Sequence, residues 1–451
     1  MWDGGIPPFR PAIQITVGQD RNSGGEGVRE RGRANAMGIF ERMSKLGIHR
    51  LVITPTNILP AKPSVPGTSW VRPALRKEGH EKLVLICHPE VKLRAAIAIH
   101  DRTLGRQSMG GCRVLDYPGE EEMLRDVLDL SRAMTYKAAL AGLERGGGKC
   151  VVWCDPRTEK TPALLRRLAE EVEQLHGEYI ICEDMNFTPQ DILVMREKTA
   201  HVAGLPKGYH KGTFRGSGAP SETTAQGVLI GMKACLRFLD IGDLGALRGK
   251  TVAIQGLGHV GFALARLLHQ EGASLVACDV DESRTAQFMK EFAGSRSTAG
   301  AASCRVVPPK EIFSQQCDIF APCAAGGAIS PKTIRRLQCR IVAGAANNQL
   351  ANEQAGRMLV KRGILYAPDY VINAGGLINL DAEIHPQGYS AARVQEKLEN
   401  IYYNLLRIFW YANRLQRTPA EVADLFVEET IHFQKIHFPD QESSKLWSVA
   451  V

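Results

Sequence analysis

The sequence predicts an α/β protein of two domains, followed by C-terminal helices. Three observations lead to this prediction. The chain has 451 residues, which exceeds the usual size of a single hydrophobic core. Apolar strand-like runs alternate with helical patterns along most of its length, as they do in α/β proteins. A glycine-rich turn between a strand and a helix, GLGHVG at 256–261, is typical of a Rossmann dinucleotide-binding domain.

The composition is that of an ordinary globular protein and argues against several classes of function. The net charge of +8 comes without a Lys/Arg block interleaved with aromatic residues, so no nucleic-acid partner is expected. No apolar run approaches the ~20 residues that span a bilayer, so no membrane partner is expected. The 11 cysteines form no C-x-x-C pair and no set with histidines at ligand spacing, which predicts no metal site and a reducing, cytoplasmic location.

The first domain is expected over 37–220, after a disordered tail at 1–36 that lacks the apolar core of a signal peptide. It opens with a short amphipathic helix, MGIFERMSKLG, and a strand at 49–53. A stretch rich in Pro, Ser and Thr follows and is expected to form no regular element. A second strand candidate at 81–86 then indicates an insertion at roughly 50–78, which a genuine loop or an error in the coding sequence explains equally well. Strands at 91–100, 150–154 and 178–184 alternate with helices at about 120–142 and 162–176.

The second domain is expected over 221–385, after a Gly-rich hinge at 207–222. It begins with a helix, TAQGVLIGMKACLRFL, whose apolar residues recur at i, i+3 and i+4. The remaining residues, 386–451, are expected to form helices that pack back on the first domain. The segment LENIYYNLLRIFWYANRL is the most strongly amphipathic of these.

The glycine turn has the context that a dinucleotide site requires. The strand KTVAIQ precedes it, the helix FALARLLHQEG follows it, and a second strand ends on Asp279 about 20 residues later. Gly256 permits the tight turn, Gly258 lets the backbone approach a pyrophosphate, and Gly261 lets the helix pack closely on the strand. The pyrophosphate would lie at the positive N-terminus of the helix. Asp279 would bind the ribose 2′-hydroxyl and repel a 2′-phosphate, so NAD is the expected cofactor; a glycine turn that binds nothing is the alternative.

A second concentrated segment, MTYKAALAGLERGGGK, carries two lysines. Lys149 follows three glycines, expected as a turn against a buried strand, where burial would lower its pKa and suit it to act as a general base. Lys137, on a predicted helix, would stay charged and could hold a carboxylate. Asp184, at the end of a strand, would complete an acid/base pair. Two surface lysines and a helix-capping aspartate explain the same pattern equally well.

Eight segments resemble, in the same order, the leucine/phenylalanine/valine/tryptophan dehydrogenase branch of the Glu/Leu/Phe/Val dehydrogenase superfamily. They cover roughly 81–385 and comprise AAIAIHDRTLG, MGGCR, SRAMTYKAALAGLERGGGK, ICEDMN, IQGLGHVG, CDIFAPCAAGG, AGAANNQLANEQ and GILYAPDYVINAGGLINL. The resemblance implies an N-terminal α/β substrate and oligomerisation domain, a Rossmann NAD-binding domain and a homo-oligomer. It also implies an enzyme that reversibly converts an L-amino acid into its 2-oxo acid and ammonia with NAD.

The resemblance further assigns roles to individual residues. Lys137 would bind the substrate α-carboxylate beside a loop formed by Gly110 and Gly111. Lys149 would activate water and polarise the carbonyl, and Asp184 would carry protons to and from nitrogen. The residues expected at the cofactor are Gly256, Gly258, His259, Val260, Gly261, Asp279, Ala324, Asn347 and Asn373, and Asn373 would also lie near the substrate.

The expected substrate class follows from one departure from the wider superfamily. Glutamate dehydrogenases place a lysine just before the two glycines to hold the substrate's side-chain carboxylate, and here that position is Met109. A carboxylate buried against a methionine would be costly. Leu377 and Leu380 would add an apolar wall, so an apolar or aromatic L-amino acid is expected. A glutamate-type dehydrogenase and a catalytically silent NAD-binding relative are the alternatives.

Overall fold

The computed structural model describes residues 38–59, 68–211, 214–218, 220–239, 246–292, 302–324 and 326–437. The expected tail at 1–36 lies outside these residues. The described chain forms a seven-stranded sheet, a six-stranded sheet and a small two-stranded sheet, with helices around them. The predicted α/β class with two domains is thereby confirmed, while the domain boundaries stay predictions. No helix in this part of the chain is long and apolar enough to cross a membrane.

The N-terminal domain is built on the seven-stranded mixed sheet. Its strands are β1 (Arg50–Ile53), β2 (Ile58–Leu59), β3 (Lys82–His88), β4 (Leu93–Asp101), β5 (Ser108–Leu115), β6 (Gly146–Trp153) and β7 (Tyr179–Cys182). Its helices are α1 (Ile39–Lys45), α2 (Val71–Glu78), α3 (Glu120–Leu140), α4 (Pro162–Glu173) and α5 (Pro189–Met195). The strand order is β2-β1-β3-β4-β6-β5-β7, and β5 runs parallel to both of its neighbours.

Helices cover both faces of this sheet, and the strands show it in their sequence. Leu83 and Leu85 of β3 belong to the apolar cluster that the sheet forms with α1, α2 and α3. Val84 and Ile86, which point the other way, belong to the cluster formed with α4 and α5. Because successive side chains of a strand alternate between faces, a strand buried on both faces must be apolar throughout. The uninterrupted apolar run LVLIC at 83–87 meets that requirement.

The segment 50–78 contains regular structure: the strand predicted at 49–53 is confirmed, the expected irregular stretch is wrong at its C-terminal end, and the insertion itself stays a prediction. β1 pairs antiparallel with β3, with Val52 opposite Val84. Val71 and Leu75 of α2 are fully buried in the cluster with α1 and α3. Pro73, which indicated a break, stands in the first turn of α2, where its missing N–H has no helical partner to lose. Residues 60–67 lie outside the described part of the chain.

The two glycine-rich segments expected as a loop and a turn are both strands. Gly110 and Gly111 lie within β5, and the three glycines before Lys149 form the first half of β6. A Cβ on Gly147 would stand 2.0 Å from the backbone nitrogen of Thr135 in α3. These glycines therefore serve close packing of α3 and β5 against β6 and are not turn residues, a use that local sequence patterns do not distinguish.

The second domain contains the six-stranded parallel sheet. Its strands are β10 (Thr251–Gln255), β11 (Ser274–Cys278), β12 (Cys304–Val306), β13 (Ile319–Pro322), β14 (Ile341–Val342) and β15 (Leu365–Tyr366), and β8 (His210–Lys211) with β9 (Phe214–Arg215) forms a hairpin in the preceding segment. Its helices are α6 (Ser221–Phe238), α7 (His259–Gln270), α8 (Glu282–Phe292), α9 (Pro331–Ile334), α10 (Glu353–Lys361), α11 (Asp369–Ile372) and α12 (Gly375–Glu383). The order β12-β11-β10-β13-β14-β15 reverses direction between β10 and β13. In such doubly wound sheets, ligands bind in the crevice at this reversal.

Two long helices end the described chain, α13 (Ala391–Leu415) and α14 (Pro419–His437). α13 buries a stripe that includes Leu398, Ile401 and Leu405 and packs on α6. α14 reaches both domains, since Glu428 accepts a hydrogen bond from the Tyr136 hydroxyl of α3 at 3.1 Å and Asp424 accepts one from the Tyr370 hydroxyl of α11 at 2.5 Å.

Candidate active site

Three adjacent strands bring Lys149 and Asp184 together. Lys149 lies in β6, Asp184 follows β7, and β5 runs between the two strands. The Lys149 Nζ donates a hydrogen bond to Asp184 Oδ2, and the two groups form an ion pair. Lys149 is 5% exposed, so the pair is shielded from bulk water on the lysine side. The structure thus brings together two of the three residues that the sequence singled out.

The glycines of β5 make this approach possible. A Cβ on Gly111 would stand 2.6 Å from the Asp184 Cβ and 2.6 Å from the Glu183 carbonyl oxygen. A Cβ on Gly110 would stand 1.8 Å from the carbonyl oxygen of Gly148. Real Cβ atoms do not come so close, so any side chain at either position would force β6 or Asp184 outward. The Met-Gly-Gly segment therefore lies beside the site as expected, but as a strand that spaces its neighbours.

The charge on Asp184 is held by its neighbours. Burial alone would raise the pKa of Asp184, but the Lys149 ammonium and then the Arg113 guanidinium outweigh it and hold the pKa below its usual range. Arg113 Nε lies 4.0 Å from Asp184 Oδ2, and its Nη1 contacts both carboxylate oxygens of Asp126 at 3.0 Å. Sequence reasoning missed Arg113. The signal was its position two residues after Gly111 on one strand, which places both on the same side of β5.

Lys137 faces the second domain from the last turn of α3. Its Nζ donates to Asn347 Oδ1 at 3.1 Å, and Asn373 Nδ2 donates to the same oxygen at 2.8 Å. Burial lowers the pKa of Lys137 to about 8, with Asp369 opposing the shift and Lys149 adding to it. The sequence predicted that Lys137 stays charged, whereas its surroundings bring its pKa closer to neutral pH. This ammonium is therefore both available for a carboxylate and close to losing its proton.

An apolar surface adjoins these polar groups. Met109, Leu377 and Leu380 are all buried and belong to the same hydrophobic cluster. A group missed by the sequence reasoning stands beside it: Glu183, whose pKa is raised to about 7 by burial and then by Asp184 and Glu383. Met109, Leu377 and Leu380 carry no charge, so this apolar surface offers no cation to a carboxylate on the substrate's side chain. That these three residues contact the substrate side chain stays a prediction.

Glu383, at the end of α12, ties the two domains together. Its Oε1 accepts from the backbone N–H groups of Gly204 and Leu205 at 3.2 and 3.1 Å. Its Oε2 accepts from the backbone N–H and the hydroxyl of Ser217, at 3.2 and 2.8 Å. The four hydrogen bonds satisfy a buried carboxylate. They also fix α12, which carries Leu377 and Leu380, relative to the segment 204–217 that leads from the first domain to the second.

The glycine turn between β10 and α7 has the predicted geometry. Gly256 has a φ of +99°, and a Cβ there would stand 2.8 Å from the Cβ of Ala324, which follows β13. A Cβ on Gly261 would stand 2.1 Å from the Gly256 carbonyl oxygen. Gly258, the N-cap of α7, has open space in front of it, with only Arg284 Nη1 within 3.9 Å. The turn therefore presents bare backbone to the crevice between β10 and β13.

The end of β11 supplies a buried carboxylate beside this turn. Asp279 Oδ2 accepts from the backbone N–H of Leu257 at 2.7 Å, and Arg284 Nη1 lies 3.6 Å from the same oxygen. His259 is exposed, and Val260 is half-buried in the first turn of α7. The fingerprint residues are thus gathered around one opening, with Arg284 as a cation that the sequence reasoning overlooked.

The opening fits a nicotinamide dinucleotide on the evidence of its unused polar atoms. Gln255 Oε1, directly before the glycine turn, and Asn373 Oδ1 are buried acceptors without a hydrogen-bond partner in the described protein. Buried polar atoms are rarely left unpaired. The carboxamide and hydroxyl groups of a nicotinamide dinucleotide are donors of the kind that such acceptors require. Asn347, bonded to both Lys137 and Asn373, links this opening to the lysines.

One other group of side chains among the described residues has the composition of a metal site. Potential ligand atoms of His49, His88 and Glu90 lie within 4.8 Å of one another. The two imidazole rings, however, are stacked at 4.8 Å and are parallel to within 3°. A ligand nitrogen directs its lone pair in the ring plane, so one ion cannot lie in both planes unless a ring turns. His88 instead contacts Glu90 at 3.2 Å and Glu171 at 2.9 Å, and we assign no metal centre here.

Comparisons with known proteins agree with this geometry. Residues 88–201 match the family described as Glu/Leu/Phe/Val dehydrogenase, dimerisation domain. Residues 216–422 match the family described as Glutamate/Leucine/Phenylalanine/Valine dehydrogenase. The first match contains both lysines, and the second contains the glycine turn.

Individual relatives cover most of the chain. The leucine dehydrogenase of Thermoactinomyces intermedius is 42% identical over 361 residues, which are 80% of this chain and 93% of the relative. The L-tryptophan dehydrogenase of Nostoc punctiforme is 43% identical over 365 residues, 80% of this chain and 96% of the relative. The crystal structure of that tryptophan dehydrogenase superposes with a TM-score of 0.67, covering 81% of this chain and 99% of the other. On these grounds the chain belongs to the glutamate/leucine/phenylalanine/valine dehydrogenase family of amino-acid dehydrogenases.

Proposed function

We propose that this protein is an NAD-dependent dehydrogenase that reversibly deaminates an apolar or aromatic L-amino acid to its 2-oxo acid and ammonia. The observation that carries the proposal is the placement of two lysines on one side of the inter-domain crevice. Lys149 is paired with Asp184, and Lys137 contacts Asn347 across the crevice from the domain that contains the glycine turn. A carboxylate anchor, a proton-transfer pair and a dinucleotide cradle are the three parts that this reaction needs.

Lys137 is the anchor for the substrate carboxylate. Its ammonium group is held at 3.1 Å by the neutral oxygen of Asn347, which an incoming carboxylate can replace with a stronger, charge-assisted hydrogen bond. The Asn347 oxygen retains its bond from Asn373, so the second domain stays ordered when Lys137 turns to the substrate. The crevice therefore need not rearrange to admit the carboxylate.

Lys149 and Asp184 manage the protons. Asp184 accepts a proton from the substrate ammonium group, and the direct contact with Lys149 lets a proton pass between the two side chains. Lys149, after losing its ammonium proton to solvent, accepts a proton from the water that adds to the imino carbon. Asp184 returns its proton to the nitrogen, and the hydroxyl proton leaves with the departing ammonia as ammonium. The bound dinucleotide supplies the hydride acceptor. In total, amino acid, oxidised dinucleotide and water give 2-oxo acid, ammonium, reduced dinucleotide and one proton.

NAD is favoured over its 2′-phosphorylated form by Asp279. The carboxylate lies beside the glycine turn, where it would accept hydrogen bonds from an unmodified ribose and repel a second phosphate. Gly256, Gly258 and Gly261 would receive the pyrophosphate at the start of α7, with His259, Val260 and Ala324 at the edges of the opening. Asn373 would contact both the nicotinamide and the substrate.

The apolar wall supports the substrate class. Met109, Leu377 and Leu380 would receive the substrate side chain, and Met109 disfavours a glutamate-type activity because a buried carboxylate there would lack a partner. The retention of Lys137, Lys149 and Asp184 disfavours a silent relative. A homo-oligomer is proposed as well, supported by the dimerisation-domain match over 88–201, and light scattering of the purified protein tests it.

A substrate panel tests the proposed function. The purified protein is incubated with each of the twenty L-amino acids and NAD or NADP at alkaline pH, and reduced dinucleotide is followed by absorbance. We expect NADH formation with one or more apolar or aromatic amino acids and none with Lys149→Ala. Failure of every amino acid with both dinucleotides overturns the proposal, and a preference for glutamate overturns the proposed substrate class.

A further inference from the structure

A chain of three hydrogen bonds, two buried and the last partly buried, runs from the strand that carries Lys149 to the end of α2. The backbone N–H of Gly147 lies 3.1 Å from the Thr135 hydroxyl oxygen. The same oxygen lies 2.9 Å from His100 Nδ1, and His100 Nε2 lies 3.0 Å from the backbone carbonyl of Glu78. Thr135 is fully buried and His100 is 5% exposed, so water does not compete for these bonds.

The direction of each bond follows from the chemistry of its ends. The Glu78 carbonyl can only accept, so His100 Nε2 carries the proton that it donates. Burial lowers the pKa of His100 to about 4, so the ring is neutral near pH 7 and Nδ1 must accept. The Thr135 hydroxyl therefore donates to Nδ1, and its oxygen accepts from Gly147. Only one arrangement of protons satisfies all the members, which makes the chain directional and rigid.

Two local features of the backbone make this series of hydrogen bonds possible. The pairing of β4 with β6 shifts by one residue at His100, because Ile99 lies opposite Gly148 and Asp101 lies opposite Gly147. Such a bulge re-aims the side chain of the extra residue, here toward α3. Gly147 lacks the Cβ that would stand 2.3 Å from the Thr135 hydroxyl oxygen. Both departures from a regular sheet are needed for the contact between helix and strand.

The contact joins the two elements that carry the proposed catalytic lysines. Thr135 stands two residues before Lys137 in α3, and Gly147 stands two residues before Lys149 in β6. In a strand, residues i and i+2 share a face, so Lys149 projects on the side of β6 that packs against α3. A shift of α3 along β6 would change the separation of the two ammonium groups directly.

We propose that Thr135 and His100 are positioning residues, which fix α3 against β6 and thereby set the distance between Lys137 and Lys149. Neither side chain needs to touch the substrate. The inference rests on the proposed function, because it takes the distance between the two lysines to match the distance between the α-carboxylate and the reacting α-carbon of the bound amino acid. The residues 50–78 enter the same argument, since α2 provides the final acceptor.

The test replaces Thr135 with valine, which has nearly the same shape and no hydroxyl, and with serine, which keeps the hydroxyl. For Thr135→Val we expect kcat/KM for the amino acid to fall about 10- to 100-fold, since errors of about 1 Å in placement cost that much. The KM for NAD and the number of NADH molecules bound per subunit, measured by fluorescence titration, should stay unchanged. Thr135→Ser should recover activity to within about threefold of the natural protein, as it restores both hydrogen bonds.

The outcomes separate positioning from general damage to the fold. A merely structural role would lower the fraction of folded, NADH-binding subunits and leave kcat/KM per NADH-binding subunit unchanged, and that result overturns the inference. Wild-type activity in Thr135→Val, or equal losses in the valine and serine variants, overturns it too. If the valine variant does not fold, His100→Asn, whose amide reaches Thr135 but not Glu78, is measured in its place and must show reduced kcat/KM with unchanged NADH binding. An active natural protein with unaffected variants refutes this inference alone, whereas an inactive natural protein refutes the proposed function and this inference with it.

Discussion

Gly111→Ala should separate the Lys149–Asp184 pair without touching the dinucleotide site. The added Cβ would stand 2.6 Å from the Asp184 Cβ and 2.6 Å from the Glu183 carbonyl oxygen. Carbon atoms in contact lie about 3.5–4.0 Å apart, so Asp184 or the strand must move by about 1 Å. Errors of that size in a reacting group cost about 100-fold in rate. We expect kcat/KM for the amino acid to fall by about that factor and the free energy of unfolding to fall by about 1–3 kcal/mol.

The assay compares initial rates of NADH formation with NADH binding by fluorescence. Binding should be unchanged, because Gly111 lies in the first domain and the glycine turn lies in the second. Gly356→Ala in α10 is the matched control, since its Cβ would meet only ordinary contacts from 3.4 Å outward. There we expect full activity and a stability gain of up to about 1 kcal/mol from the better helix former. A folded Gly111→Ala protein with activity within threefold of the natural protein would refute the close-packing argument.

Four further predictions test the site and the fold. Because burial lowers the pKa of Lys137 to about 8, the fraction of Lys137 in its ammonium form declines above that pH. The inhibition constant of 4-methylpentanoate, which has the carboxylate and no amino group, should therefore rise about tenfold per pH unit above 8 in the natural protein and stay level in Lys137→Arg. An inhibition constant that does not change from pH 7 to 10 in the natural protein would contradict the assigned role. Met109→Lys should raise the ratio of kcat/KM for glutamate over leucine at least ~10-fold by supplying a partner for the side-chain carboxylate, and an unchanged ratio would place the substrate side chain elsewhere. Asp279→Ser should raise the ratio of kcat/KM for NADP over kcat/KM for NAD about tenfold, because it removes a buried negative charge that would repel the 2′-phosphate. An equal effect on both dinucleotides would argue against contact between Asp279 and the ribose. Leu75→Ala should lower the free energy of unfolding in denaturant by about 2–5 kcal/mol, against less than ~0.5 kcal/mol for the exposed Lys77→Ala, and equal small effects would contradict a stabilising role of α2 in the core of the first domain.

Much of the fold was predictable because the strongest local patterns agree with the tertiary structure. The helix α7 and the strands around it follow from a glycine turn, an apolar strand and a buried helix face, each of which is decided within about ten residues. The six-stranded sheet then has the order that such a unit usually adopts. The position of Met109 beside the glycines of β5 was also predictable, since the pair of glycines is recognisable in the sequence, and its contact with the substrate stays a prediction.

Other elements depend on contacts that no local window contains. α2 is a helix because Val71 and Leu75 find places beside α1 and α3, which outweighs the turn-like composition around it. The glycines of β5 and β6 look like loop residues because their role lies in the distance to a neighbouring strand or helix. Arg113 and Glu183 were missed for a related reason, since their significance comes from standing near Asp184 in space.

The two lysines illustrate the limit most clearly. Sequence reasoning placed the lowered pKa at Lys149 because a glycine-rich turn against a buried strand suggested desolvation. The structure buries Lys149 as expected and pairs it with the carboxylate of Asp184, whereas the hydrogen bond of Lys137 within the described residues goes to a neutral amide oxygen. Desolvation lowers the pKa of Lys137, and a neutral oxygen opposes that effect far less than a carboxylate in contact would. A substrate carboxylate in contact with Lys137 would therefore raise its pKa on binding. Above pH 8, Lys137 would then become fully protonated only when the substrate carboxylate is bound, so carboxylate binding should be accompanied by proton uptake at alkaline pH.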